Sequence, residues 1–478
     1  MPTLVMNRKV LSGRNLLLNA NVFATKKPSL FIPNAGLRFQ IVSKSTSRGY
    51  ASKADTNKTK SLARRRVLNV LLTVLVPYTG YAFYVVTGAS KEINLRAKEL
   101  STIEGEGELT NAGTLIKYSP LKILNRYENP FEEYRMQTVY EFFFNRVVEV
   151  FQRNRGGIPE SKIEMDSLMP IHKPDWLPQT AASNHNHLST ENNISDISVV
   201  TSENILNQEG NGNTSEIYST WLGQSCNFIY YNGLKIITDP LFSDYLIHEK
   251  YGPKRITSQP SHIDKVPQPD VIIVSHNHPD HLDTNSMSKW TSSEVLWIVP
   301  KGAKKFLQKH GVQNVIELCW WEAVEFKKNK EIYHISSVPA MHWSGRGLLD
   351  INESLWCSFI MTHNKQPILF HAGDTGYVSD LYKRIKLKFG GGCKLALLPC
   401  GQYCPEWHQR PRHINSHEVL SIMEDLAVKN VLGIHWGTFV LSGEYFREPK
   451  EKLELLAQWK GKSERCYCPE LGKTIKFD

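Results

Sequence analysis

Two hydrophobic patterns divide the chain. Residues 67–88 form an uncharged run rich in Val, Leu and Tyr, long enough to cross a bilayer. Pro77 and Gly80 would weaken a soluble helix but are tolerated in a membrane span, and Tyr78, Tyr81 and Tyr84 suit an interfacial end. After Glu216 the pattern changes to short apolar runs separated by loops and amphipathic stretches. It predicts strands at 235–238, 271–275, 295–299, 332–338, 356–361, 368–371, 395–398 and 431–434. Helices are expected at 303–310, 378–388, 416–427 and 449–459, the third opened by Asn415 with Glu418 three residues later, a variant capping box. Alternating strands and helices make residues 217–478 one layered α/β domain.

The intervening segments are of two kinds. Residues 89–179 mix charged helix-like stretches with Pro159, Pro170, Pro174 and Pro178, which predicts an extended N-terminal arm. Within it Tyr140, Phe142, Phe143, Phe144, Val147, Val148 and Phe151 form an aromatic face. A membrane could meet that face, but packing against the main domain is the expectation. Residues 180–216 are dominated by Asn, Ser and Thr and predict a disordered insertion, in which the spacing of His185 and His187 is accidental.

Charge changes the picture at the N-terminus. The chain carries +10, but its first 66 residues hold 14 Lys and Arg against the single acid Asp55, so their +13 leaves the rest at −3. A mildly acidic body argues against a nucleic-acid partner. Residues 1–50 contain no acid and interleave Arg and Lys with Ser, Leu and Asn, as a mitochondrial transit peptide does, and Arg48-Gly49-Tyr50 resembles a processing site. Residues 51–66, ending in Arg64-Arg65-Arg66, then read as a basic matrix-side segment before a transmembrane helix at 67–88. The positive-inside rule places the catalytic domain in the intermembrane space, on a single-pass protein of the mitochondrial inner membrane. All eight cysteines lie after residue 225 and show no secreted disulfide framework. Cys400, Cys404, Cys466 and Cys468 could bind metal or cross-link, but inert buried thiols are expected.

The chemistry concentrates at strand ends. The apolar run 271–275 leads directly into His276-Asn277-His278-Pro279-Asp280-His281, three imidazoles and a carboxylate on one loop. Neutral imidazole and carboxylate together suit zinc or a similar ion. One further ligand-capable group closes each of three other apolar runs: His342 after Val338, Asp374 after Phe370, and His435 after Ile434.

The order H-x-H-x-D-H, then His, then G-D-T, then a C-terminal His resembles the metallo-β-lactamase superfamily. That resemblance implies a four-layer αββα sandwich. More narrowly, Trp221-Leu222-Gly223, Thr238-Asp239-Pro240-Leu241-Phe242-Ser243, Gly401-Gln402-Tyr403 and His435-Trp436-Gly437-Thr438-Phe439 resemble the N-acyl-phosphatidylethanolamine-hydrolysing phospholipase D family. With the transit peptide and span, the match is to the mitochondrial form of budding yeasts. By that resemblance His276, His278 and His342 hold one zinc ion, Asp280, His281 and His435 a second, and Asp374 bridges them. Such a pair activates water and clamps the attacking and leaving oxygens at phosphorus. Asp280 would also receive or orient a proton, and His413 would meet the substrate phosphate. Gln224, where the family often has His, puts a supporting hydrogen bond in doubt, and Pro279 in place of Tyr puts a substrate contact in doubt.

The implied activity is phospholipase D-type hydrolysis of a membrane phospholipid. Two other enzymes of this fold compete with it, a soluble sugar-phosphate lactonase and a tRNA-end nuclease. The span counts against the first and the acidic body against the second. A vestigial, non-catalytic protein would be expected to have lost ligands, and all seven are present. Oligomeric state is not readable from the sequence.

Overall fold

The computed structural model describes residues 53–105, 107–150, 154–176, 194–202, 215–347 and 349–478. The expected transit peptide lies outside them. The chain falls into two compact units, Met1–Val70 and Leu71–Asp478. In the first, the described residues are helical. The second holds two large sheets and a two-stranded pair, Leu121–Ile123 with Arg126–Glu128.

The larger sheet has the strand order Cys466–Tyr467, Asn430–Ile434, Leu395–Pro399, Gln366–His371, Ser358–His363, Glu331–Val338, Glu322–Lys328 and Ser195–Thr201. Its first four strands are parallel and the rest antiparallel. The other sheet runs Thr474–Phe477, Ile217–Gly223, Cys226–Tyr231, Leu234–Thr238, Val271–Ile273, Leu296–Pro300 and Val315–Leu318, with the last four parallel. Successive side chains on a strand face opposite ways, so Val271 and Ile273 enter the core shared with Phe359 and Phe370, while Ile272 and Val274 enter a second core with Met287, Trp290 and Leu307. Burial on both faces is why these strands read as continuous apolar runs. The result is the αββα sandwich expected from the resemblance.

All eight expected strands form, within a residue or two at most ends, and so do the four helices. The capping box at Asn415 and Glu418 is present, each side chain accepting from the other's end of the first turn. The strands at 217–223 and 226–231 escape sequence reading because buried Ser219, Thr220 and Asn227 interrupt their apolar pattern.

Three expectations about the segments before the domain differ from the structure. Residues 89–179 are not an extended arm: Tyr118, Tyr127, Phe131, Met165 and Met169 are buried in the main core, and Trp321 Nε1 donates to the Tyr118 carbonyl at 3.0 Å. The proposed insertion at 180–216 contains a strand, Ser195–Thr201, whose Ile197, Val199 and Val200 suit an edge position beside Glu322–Lys328. Finally, the aromatic face does not pack against the main domain. Phe142, Phe143 and Phe144 on helix Val139–Val150 are exposed, and Phe151 lies outside the described residues.

The apolar run lies in a helix, Lys53–Ile103, that continues well past Gly88. Its portion Ser61–Ile103 is long and apolar enough to cross a membrane, and Leu71, Leu72, Val74, Val76 and Phe83 along it are exposed. Beyond the run the helix is locked to the domain. Arg96 donates to the carbonyls of Lys117 and Ser119 at 3.3 and 2.6 Å, and Glu104, just after the helix, takes both terminal nitrogens of Arg384 at 2.8 and 2.7 Å.

Candidate active site

The parallel strands of both sheets deliver their C-terminal ends to one place. The loop after Val271–Ile273 turns sharply, with the amides of His281 and Leu282 both donating to the His278 carbonyl. It then enters a short helix, Thr284–Met287, capped by Asp283. Arg346 holds this loop at both ends, donating to the carbonyls of Asn277 and Leu282 at 3.0 and 2.7 Å. Asn277, the residue between the two histidines, accepts from the Gly345 amide. On the facing strand end, Gly373 adopts φ +60°, and a Cβ there would lie 2.3 Å from that of Ser275. Only glycine lets Asp374 approach this closely.

The structure brings together all eight residues singled out from the sequence. His276, His278 and His342 form one buried group of converging donors, and Asp280, His281, Asp374 and His435 form another. Asp374 lies between the two. Its Oδ2 is 4.0 Å from His276 Nε2, 3.8 Å from His342 Nε2 and 3.1 Å from His281 Nε2, and its Oδ1 is 3.2 Å from His435 Nε2. His413 Nδ1 stands 3.8 Å from the same Oδ2, and with His342 and Asp374 it makes a third such group.

Sequence reading left the supporting residues without roles. Asp239, fully buried, accepts from the Ser275 amide and hydroxyl, from His281 Nδ1 at 2.8 Å and from His371 Nε2 at 2.8 Å. It thereby fixes the His281 ring so that Nε2 faces Asp374 and His435. Burial works to raise the Asp239 carboxyl, but His371 and His281 outweigh it and hold it at about 2. The signal was available: Asp239 follows the strand that pairs in parallel with Val271–Ile273, so their ends are adjacent. His342 is oriented in the same manner, its Nδ1 donating to the Arg412 carbonyl at 3.0 Å. Gln224 removes one doubt about departures from the family, because its Nε2 lies 3.0 Å from Asp280 Oδ2 and 2.8 Å from His435 Nε2.

The electrostatics fit a cationic ligand. Burial, with the neighbouring imidazoles, pushes His276 far below its ordinary value, and burial lowers His278 to about 4 and His413 to about 3. These rings are neutral at physiological pH, the state that can donate a lone pair. Asp374 and Asp280 stay ionised despite burial because His281 and His435 sit beside them. Against burial, Asp374, Asp280 and Asp239 raise His281 well above its usual range. Ionised Asp374 and Asp280 thus converge with neutral His276 and His278, a buried donor set whose negative charge metal cations would neutralise. His278 Nε2, Asp374 Oδ1 and His413 Nδ1 are buried polar atoms without a hydrogen-bond partner, which leaves them open to a bound ion or substrate.

Comparison with known proteins agrees with this arrangement. The family model for a beta-lactamase superfamily domain matches residues 235–436. The mitochondrial N-acyl-phosphatidylethanolamine-hydrolyzing phospholipase D of Saccharomyces cerevisiae is 57% identical over 469 residues, covering 97% of this chain and 98% of that one. N-acyl-phosphatidylethanolamine-hydrolyzing phospholipase D 1 of Caenorhabditis elegans is 33% identical over 314 residues, 64% of this chain and 79% of that one. Among solved structures, a metallo hydrolase of Ignicoccus hospitalis is 19% identical, covers 55% of this chain and 99% of that chain, and has a TM-score of 0.42.

Proposed function

The chain belongs to the N-acyl-phosphatidylethanolamine-hydrolysing phospholipase D family, and from that premise we infer that it is a metal-dependent phosphodiesterase cleaving N-acyl-phosphatidylethanolamine to N-acylethanolamine and phosphatidic acid. The observation that carries the reading is the convergence of His276, His278, His342, Asp280, His281 and His435 around Asp374.

In this reading His276, His278 and His342 hold one zinc ion, Asp280, His281 and His435 a second, and Asp374 serves both. Bound metals supply Lewis-acid charge at phosphorus and make a water acidic near neutral pH. The chain's own residues position the reaction. Asp239 and the Arg412 carbonyl keep His281 and His342 in the tautomers that turn Nε2 inward. Asp280, ionised and only partly covered, accepts the proton of the attacking water at a carboxylate oxygen, while Gln224 steadies Oδ2. His413, neutral and with Nδ1 unpaired, is placed to meet a non-bridging phosphate oxygen.

Mitochondrial membrane association follows from the yeast relative's name and the apolar helix. The finer placement is an inner-membrane protein with its catalytic domain in the intermembrane space; protection of that domain from protease after outer-membrane rupture would contradict it. Without residues 1–66 the chain should fail to enter mitochondria, and normal accumulation would show that the address lies elsewhere.

The direct test is lipid mass spectrometry on the purified enzyme given N-acylated and plain phosphatidylethanolamine. Phosphatidic acid together with N-acylethanolamine supports the reading. Diacylglycerol would place cleavage on the other side of phosphorus.

A further inference from the structure

Helix Val139–Val150 meets the long apolar helix at its first turn. Its first residue meets that helix through hydrogen bonds: the Val139 amide donates to the Tyr78 hydroxyl at 2.8 Å, and the hydroxyls of Tyr140 and Thr79 lie 2.9 Å apart. The Tyr78 and Tyr140 rings pack edge to face at 6.0 Å. Tyr78 and Thr79 lie where the exposed stretch of the run, residues 67–76, gives way to residues packed on the domain, Val85 among them, which is where a span would leave the bilayer.

Two features fit that position. The first amide of a helix has no intrahelical acceptor, and the Tyr78 hydroxyl supplies one, tying the start of this helix to the apolar run. Phe142, Phe143 and Phe144 are 50%, 69% and 60% exposed, with Val147 and Val148 at 41% and 42%. Three adjacent aromatic rings turned outward beside a membrane span match acyl chains in chemistry. The other end of this segment reaches the site: Arg135 donates to the Trp407 carbonyl at 3.1 Å, and Gln137 bonds His408 and the Arg412 guanidinium.

We propose that helix Val139–Val150 is a second membrane-inserted segment whose Phe142, Phe143, Phe144, Val147 and Val148 surface contacts acyl chains of the bilayer next to the active-site loop. The helix adds a lipid-facing wall between the span and residues 407–413, so a phospholipid leaving the bilayer passes along it. This placement rests on the reading of 67–88 as a span, and not on the identity of the substrate.

The test uses the full chain reconstituted in phosphatidylcholine vesicles that carry a diazirine near the acyl-chain terminus. After irradiation, peptides are mapped by mass spectrometry. Adducts on both the 67–88 and the 139–150 peptides are expected. Adducts confined to 67–88 overturn the proposal alone; their absence from both overturns the span as well; a cross-link from 139–150 to another copy of the chain assigns the face to protein. Independently, Phe143→Ser/Phe144→Ser should remain in the vesicle pellet, hydrolyse detergent-dispersed substrate normally and lose about tenfold of its rate on vesicles. An unchanged vesicle rate overturns the delivery role.

Discussion

At the strand ends the carboxylates of Asp239, Asp280 and Asp374 are gathered among seven imidazoles, and each charge is held by named neighbours. Along the apolar run 67–88 and on helix Val139–Val150 the arrangement is inverted, with large apolar side chains facing outward and Tyr78 and Thr79 bonded to Val139 and Tyr140. The first region does chemistry because its polar groups are withdrawn from water, where their charges interact strongly. The second presents the site to a substrate that does not come from water. Extracting a single acyl chain costs about 0.8 kcal/mol per methylene. The regions are joined at fixed points, Glu104 with Arg384 and Gln137 with Arg412, so the catalytic unit is braced against the membrane helix and not hung from a loose tether.

If chemistry and delivery are separate, damage to one should spare the other. The largest effect is expected from Asp280→Ala, which should lower turnover by about 10³-fold on dispersed and vesicle substrate alike, with near-native circular dichroism because the residue sits on a loop. Turnover within tenfold of the native rate would remove Asp280 from the mechanism. Next, a chain beginning at Lys91 keeps Arg96 and Glu104 but loses the span. It should bind metal and cleave dispersed substrate while losing about tenfold or more on intact liposomes; equal liposome rates would abolish the contrast between the regions.

A smaller effect tests the brace. Arg384 and Glu104 are both nearly covered, their side chains 2% and 6% exposed, so Arg384→Met leaves a buried carboxylate unpaired. A loss of about 3 kcal/mol in stability is expected, read as a lower Tm, with metal content unchanged. The smallest effect concerns Glu128, whose carboxyl burial raises to about 7 against the opposing pull of Asn352 and Arg126. A carboxyl raised in the folded state stabilises below its unfolded value near 4.5, and that contribution is lost as pH rises through 7. Glu128→Gln should therefore flatten the decline in Tm between pH 5 and 8, by about 1–2 kcal/mol after allowance for solvent entry. An unaltered slope would show that Glu128 is already ionised.

The two regions also differ in how much the sequence reveals. Metal-ligand candidates were legible because each follows an apolar strand, and strands buried on both faces are the clearest of periodic signals. Asp239 was marked only by following the strand adjacent to Val271–Ile273, and Arg346 was not legible as a support, because its value lies in contacts across loops that spacing alone does not encode. The aromatic helix was misjudged for a related reason. An apolar face reads the same whether protein or lipid covers it, and only the Tyr78 and Tyr140 contact places it beside the span. Residues 89–179 read as an arm because prolines mask the scattered positions, Tyr118, Phe131 and Met169 among them, that enter the core.

In the proposed reaction, residues around Asp374 direct water to the phosphorus of a membrane phosphodiester. Turnover in H₂¹⁸O, with both products analysed by mass spectrometry, tests it most directly. One ¹⁸O atom in phosphatidic acid and none in N-acylethanolamine is the predicted result, lost in Asp280→Ala. Label in the N-acylethanolamine, or release of diacylglycerol, would contradict it.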